Sequence, residues 1–456
     1  PLPCHRGARL LSTPPNRSAP GSSSPGKPGT PETSETPGIP EAPEVPEAAS
    51  ETPAESPPPV PLRRNHNFRM LWIGGGSSVL GVRTAVSAYP LLMLWSTGSA
   101  AHAGLVAFAA LLPQLLLVLP AGALVDRWDR RRTLMVCDAV GLAGMASLVV
   151  ALLLGKLYVG QVMLVAFLEG GAVIFYRIAE RAVIRGAVPT GQLSEAFSQH
   201  QARGHAAGVL GQPLGAGLFS LARWAPFLAA AVTHTVALVT LLMMRHQPVE
   251  SRTGTRRALR TEIAEGIAWV WRQRFLRAAL LVISISNIAF QVMALALVVL
   301  VKEGGHPAYM VGLVGLLGGA GGITGAMTAA WVMRRIRLGP LLLLALAVWT
   351  ALMASLAFVA HPVALGLVSA GTTWVGALLN VAAGVHQVKV TPDALQGRVS
   401  SVFALVTSGL NSLGALLGGV LLTWYGGART MAGVAVCMAV VTLLALAAPT
   451  VRRAAD

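Results

Sequence analysis

Residues 105–133 read LVAFAALLPQLLLVLPAGALVDRWDRRRT. Leu105 to Ala121 carry no charge, whereas the residues that follow include Asp126, Arg127, Asp129, Arg130, Arg131 and Arg132. About 20 apolar residues in a helix cross a hydrocarbon core of roughly 30 Å, so the apolar part suits lipid and the charged part marks re-entry into water. The same alternation recurs along the chain after residue 68. Of 456 residues, 54% are hydrophobic and 12% charged, with a mean hydropathy of +0.62, which excludes an ordinary soluble domain. A membrane barrel would show segments of about 10 residues with alternating polarity, and none occurs. The expected class is an all-α integral membrane protein.

Apolar runs predict twelve spans: 68–96, 102–124, 133–154, 158–182, 195–221, 226–244, 275–301, 308–333, 339–360, 362–388, 398–424 and 428–448. With an even number, both termini share one side. The connections on that side hold 24 of the 35 Lys and Arg, against Lys156, Arg223, Lys302 and Arg429 on the other. By the positive-inside rule both termini are expected in the cytoplasm of a multi-pass protein of the cell membrane. The net charge of +16 then reports topology and argues against a nucleic-acid partner.

Residues 1–61 hold 17 of the 29 prolines and few large apolar side chains, so they are expected to form a disordered cytoplasmic tail. That tail lacks the apolar core of a signal peptide. Residues 62–244 and 275–450 form two six-helix halves, joined by a polar stretch, 245–274. Within that stretch Leu259, Ile263, Ile267 and Val270 recur at helical spacing, which predicts an amphipathic helix on the inner leaflet, with Trp269 and Trp271 at the interface. Residues 451–456 form a cytoplasmic end. Cys4, Cys137 and Cys437 are too few and too scattered for a disulfide framework or a metal site.

The halves echo each other weakly. VPTGQLSEAF (188–197) parallels VTPDALQGRVSSVF (390–403), and QPLGAGL (212–218) parallels NSLGALL (411–417), at offsets near 200 residues. The loop after the second span places Gly122, Leu124, Asp126, Arg127, Arg130 and Arg131 in the order G-x-L-x-D-R-x-x-R-R. This organisation and this loop resemble the major facilitator superfamily over roughly residues 66–450. NFRMLW (67–72), AYPLLML (88–94), EGIAWVWRQRFLRAALL (265–281) and QGRVSSVF (396–403) are similar to its branch of drug, macrolide and siderophore exporters. In span five, Gly208, Gly211, Pro213, Gly215 and Gly217 resemble the antiporter motif of exporting members, although Gln212 interrupts the family's Gly-Pro pair. Ordinary small-residue helix packing accounts for these glycines equally well. The corresponding loop of the second half keeps Arg334, Arg335 and Arg337 but has no Asp.

The resemblance implies that Gly122, Asp126, Arg127, Arg130 and Arg131 form a conformational latch, with Asp126 capping span eleven and the arginines pairing with Glu180 or Asp138. A plain topology anchor is the alternative. Ionisable side chains deep in a span are functional candidates, because an uncompensated charge there costs several kcal/mol. Glu169, near mid-depth of span four, is the expected site of proton coupling or substrate contact; an ion pair with Arg83 in span one is the rival reading. His205, Asn287, Gln291, Trp374 and Asn380, with Tyr89, are expected around a mainly apolar cavity, and Arg177 is interfacial or reaches that cavity. No GxxxxGK[ST], HExxH or GxSxG occurs, and GGAGGITG (318–325) reads as packing glycines. The chain is therefore expected to be no enzyme and to need no cofactor, taking its energy from a proton gradient. The expected function is proton-coupled export of an amphipathic small molecule by a monomer whose partners are substrate, protons and membrane lipid. Uptake or facilitated diffusion is one alternative, and a receptor or scaffold acting through the tail is another.

Overall fold

The computed structural model of the chain describes residues 61–245, 268, 271, 274–390 and 393–447. The tail, most of the 245–274 stretch and the C-terminal end lie outside these, as do Leu259, Ile263, Ile267, Trp269 and Val270; Ala268 and Trp271 are helical. The long helices are α1 (His66–Thr97), α2 (Ala100–Val125), α3 (Arg130–Leu153), α4 (Val159–Ala187), α5 (Leu193–Leu221), α6 (Ala225–Met243), α7 (Arg274–Glu303), α8 (Tyr309–Met333), α9 (Leu338–Ser355) and α10 (Pro362–Val390). A last stretch, Asp393–Ala447, is broken at Gly426, whose φ of 74° is left-handed, into α11 (393–425) and α12 (427–447). Twelve helices result, each within a few residues of its predicted span.

Among the described residues ten helices are long and apolar enough to cross a membrane, with Gly409–Ala447 counted once. The remaining one, α5, is too polar for that test because it carries Glu195, His200, Arg203 and His205. Helix ends follow local chemistry. Asn65 caps α1 by accepting from the Phe68 amide at 3.1 Å, Asp129 caps α3 by accepting from the Arg132 amide at 2.7 Å, and left-handed Gly98 ends α1. The Glu303 carboxylate caps α12, accepting from the Gly427 amide at 3.2 Å.

Packing repeats with an offset of six helices. The α1–α5, α2–α4, α3–α4 and α3–α6 pairs of the first half recur as α7–α11, α8–α10, α9–α10 and α9–α12 in the second. The halves meet along two seams, α2 with α11 and α5 with α8. Small residues let the backbones touch. A Cβ added to Gly104 would lie 2.5 Å from the Gly419 Cα, and one on Gly312 would lie 3.0 Å from the Pro213 Cα. At the same end of the bundle, the Lys302 ammonium at the close of α7 donates to the Leu94 carbonyl of α1 at 2.5 Å and sits over the Trp95 ring. That placement suits a cation, since helix C-termini carry partial negative charge.

These contacts close the end that holds the α1–α2 turn. Gly104→Leu is expected to wedge this seam open. A cysteine introduced as Val298→Cys in the central cavity should then react faster with an impermeant maleimide added from that side. Unchanged labelling would show that the seam does not set closure.

Candidate functional site

Two buried polar clusters sit inside the first half. In one, the Tyr89 hydroxyl on α1 donates to Glu169 Oε2 on α4 at 2.6 Å. The other oxygen, Oε1, faces His234 Nε2 of α6 at 3.9 Å, too long for a direct hydrogen bond. On its far side His234 Nδ1 lies 2.9 Å from Asp138 Oδ1 on α3, which also accepts from the Ser78 hydroxyl at 2.7 Å. Tyr89, Asp138, Glu169 and His234 are each 3% exposed or less. Two carboxylates thus flank one imidazole in a space without bulk water. The backbone makes room for the ring: a Cβ on Gly141 of α3 would lie 2.6 Å from His234 Cε1.

The second cluster lies nearer the α2–α3 loop. Glu180 on α4 accepts from Arg203 Nη2 on α5 at 2.6 Å, and Arg203 Nη1 donates to the Leu71 and Trp72 carbonyls of α1 at 3.2 and 2.9 Å. His200 Nδ1 is 3.7 Å from the same carboxylate oxygen. Gly75 leaves the space that Glu180 occupies, since a Cβ there would collide with Oε1. One ion pair therefore ties α1, α4 and α5 together.

Between the halves lies a cavity of about 1300 Å³, lined from α1, α5, α7, α8, α9 and α10. Arg83, His205, Asn287, Gln291 and Asn380 all line it, as do Gly204, Gly208 and Gln212. Phe290 and Trp349 contribute apolar surface, in edge contact at 4.7 Å between centroids. Glycines of α5 serve two ends here. Gly211 and Gly215 press onto α1 at Arg83 and at Thr84 and Ser87, Gly208 opens onto the cavity, and Gly217 has open space beside it. Pro213 lies against Gly312, and Gln212, in place of the expected Gly, packs over Gly315 of α8.

Several expected placements change. Glu169 and Tyr89 lie behind the cavity wall, inside the first half, so Glu169 engages Tyr89 and His234 and makes no ion pair with Arg83. Trp374 packs beside Ala329 and Leu341 and is off the cavity lining. The carboxylates expected to receive the loop arginines are taken by other partners, Glu180 by Arg203 and Asp138 by His234 and Ser78. Arg131 instead donates to the Leu241 and Leu242 carbonyls at the end of α6, at 2.9 and 3.0 Å. Trp128 stacks on Phe175 of α4 at 5.8 Å. Arg127 and Asp126 are exposed at the end of α2, Arg130 opens α3, and Gly122 has no close neighbour that forbids a side chain. The start of α11, where the Asp126 cap was expected, has no described side chains.

Comparison with known proteins fits this architecture. The model of the Major Facilitator Superfamily matches residues 71–410. The chain belongs to the Major Facilitator Superfamily. That superfamily is one of membrane transporters, not of enzymes. The chain is 27% identical over 225 residues to the multidrug efflux pump Tap of Mycolicibacterium fortuitum, a match covering 47% of this chain and 53% of that protein. To Tap of Mycobacterium tuberculosis it is 40% identical over 80 residues, 18% of each chain. The chain thus spans about half the length of the first of these relatives and less than a fifth of the second. Among solved structures, the nucleoside transporter NupG superposes with a TM-score of 0.69 at 12% identity, covering 83% of this chain and 98% of NupG, which shows the shared fold alone.

His234, Arg203, His200 and Ser78 belong to this superfamily member's buried clusters, yet the sequence reading passed over them. His234 and Arg203 carried a usable signal, an ionisable group within an apolar span. Ser78 carried none.

Breaking a buried ion pair from one side costs about 3–5 kcal/mol, because a charge is left uncompensated. Arg203→Met is accordingly expected to lower the thermal midpoint of the purified protein by several degrees, and Arg203→Met with Glu180→Met to recover most of it. Equal losses in both variants would show that the pair contributes only packing.

Proposed function

We propose that the protein is a proton-coupled exporter of amphipathic small molecules, working by alternating access from the cytoplasm to the outside. The carrying observation is the buried Glu169–His234–Asp138 arrangement. With both carboxylates ionised and the imidazole neutral the trio has a net charge of −2, and it reaches zero only after taking up two protons. A low-dielectric interior strongly favours the neutral state, so leaving it by one proton changes the energy of the whole first half. The protein can offset that charge by rearranging helices α1, α3, α4 and α6, which hold the trio. Proton binding and helix arrangement are thereby linked, as a proton-driven cycle requires.

The direction is supported by the resemblance to multidrug efflux pumps and by the excess of basic residues on the side of the α2–α3 loop, which supports a cytoplasmic position for that side and for both termini. The closed end described above then faces outside. The apolar cavity, with few polar groups, suits an amphipathic cargo. The α2–α3 loop acts as the conformational latch, with Asp126, Arg127 and Arg130 presented on a loop that Arg131 and Trp128 fix to the first half.

Everted membrane vesicles test the coupling. On addition of members of a broad panel of amphipathic dyes and antibiotics, wild type is expected to dissipate an imposed pH gradient, read by acridine orange. Glu169→Gln and His234→Gln should lose that proton movement while still binding cargo. Proton-coupled transport unchanged in Glu169→Gln would overturn the assignment. In a separate measurement, Gly141→Leu, which drives a side chain into the His234 ring, should reproduce the coupling defect without replacing any ionisable residue. Wild-type coupling in that variant, once shown to be folded, would exclude a role for the position of the ring.

A further inference from the structure

No Asp or Glu is found among the described residues that line the central cavity, and one permanent charge is, Arg83. It stands halfway along α1, and its side chain is exposed to the cavity. Among the described residues it has no ion-pair partner. The two glutamates of α4 that were within range by sequence are buried behind the wall and engaged, Glu169 by Tyr89 and His234, Glu180 by Arg203. A guanidinium at this depth keeps its full cost unless water or an opposite charge compensates it.

The surroundings hold that cation in place and keep the space before it empty. Gly211 of α5 is pressed against the Arg83 backbone and Cβ, so the root of the side chain cannot shift toward α5. Gly204 and Gly208, one turn apart, line the cavity and leave open space where side chains would project. Off the cavity lining, Arg177 and Arg181 follow one another by a turn on an exposed face of α4, and Arg177 feels the like charges of both Arg181 and Arg83. Arg181 and Arg185, with His200 and Gln201, line a smaller cavity of about 340 Å³ between α4 and α5. The nearest carboxylate, Glu180, is buried and taken by Arg203, and exposed cations in succession draw anions inward and repel cations. The apolar side of the main cavity, including Phe290, Leu297, Ile323 and Trp349, meets the rest of the cargo.

We propose that the cargo is an organic anion, an amphipathic molecule whose carboxylate or phosphate is held by Arg83 and admitted past Arg181 and Arg177. The guanidinium offers paired N–H donors in the geometry of such groups, and its pairing with the anion replaces the counter-charge that the protein does not provide. This rests on the transport reading above only in taking the central cavity as the cargo site. The same chemistry describes a free organic acid and the headgroup of an anionic lipid.

Equilibrium binding to the purified full chain in a non-ionic detergent tests it, because binding needs neither a proton gradient nor a direction. The probes are dansyl-undecanoate and the matching dansyl-undecyltrimethylammonium, followed by fluorescence anisotropy. A charge-assisted hydrogen bond corresponds to about tenfold or more in affinity, so wild type should prefer the carboxylate by at least about tenfold. Arg83→Gln should erase that preference, and Arg83→Lys should keep part of it. Equal or tighter binding of the cation by wild type overturns the proposal, as does undiminished carboxylate binding by a folded Arg83→Gln protein. If that variant does not fold, the wild-type preference decides alone. Displacement of the probe by phosphatidylglycerol as readily as by unlabelled undecanoate supports the lipid headgroup as source, and displacement by undecanoate alone supports a free acid. Carboxylate binding without any pH-driven movement would overturn the exporter reading and leave this one standing; pH-driven movement of cations alone would do the reverse.

Discussion

A carboxylate in a bilayer interior must be neutral, paired or hydrated, and the first half of this transporter is organised around that constraint. Asp138, Glu169 and Glu180 come from α3 and α4, and each is met by a side chain from another helix: His234 from α6, Tyr89 from α1, Arg203 from α5. Five of the six helices are joined by these bonds. The glycines of α1 and α3 follow from the same need, because Gly75 and Gly141 vacate the volume that Glu180 and the His234 ring fill. Polar satisfaction and close packing are one problem here, solved by removing side chains on one helix to admit charged ones from the next.

The second half is built differently. Its described helices hold few ionisable groups within their spans, and inside those spans they pack through apolar surface and neutral hydrogen bonds, as in Thr350 with Thr442 at 3.1 Å and the Trp349 indole donating to the Thr372 carbonyl at 3.0 Å. It supplies most of the cavity wall. The pseudo-symmetric pairing of helices thus carries an asymmetric chemistry, with charge stored on one side and apolar contact surface on the other.

Much of the fold was legible in the sequence because the hydrocarbon thickness dictates run length, and twelve runs of suitable length are separated by turn or charge signals. Gly426 illustrates the finer limit: the two last spans were separable by hydropathy although the helix barely pauses. The candidate site was legible only in part. Glu169 stood out as a deep carboxylate, and His205, Asn287, Gln291 and Asn380, expected around the cavity, line it, since mid-span polar residues on α5, α7 and α10 had few other places to face; Arg83, read as a partner for Glu169, lines the cavity instead. Pairings were not legible. Which partner Glu180 or Asp138 takes depends on helix rotation and on glycines two helices away, and a single sequence records neither; the arginines of the loop were plausible partners only because they were near in depth. Trp374 failed for a related reason, as an amphipathic side chain facing α8 and α9 has the same composition as one facing a cavity.

The α2–α3 loop is short, and it is held at two points, by Arg131 on the last carbonyls of α6 and by Trp128 on Phe175 of α4. A segment tied in this way has no hinge of its own. Asp126, Arg127 and Arg130 are consequently carried by the first half, and in the proposed alternating-access cycle their distance from the facing helices would follow the rotation of that half. In that proposed cycle the loop is an edge on a lever, and the give lies along the α2–α11 and α5–α8 seams where the halves meet.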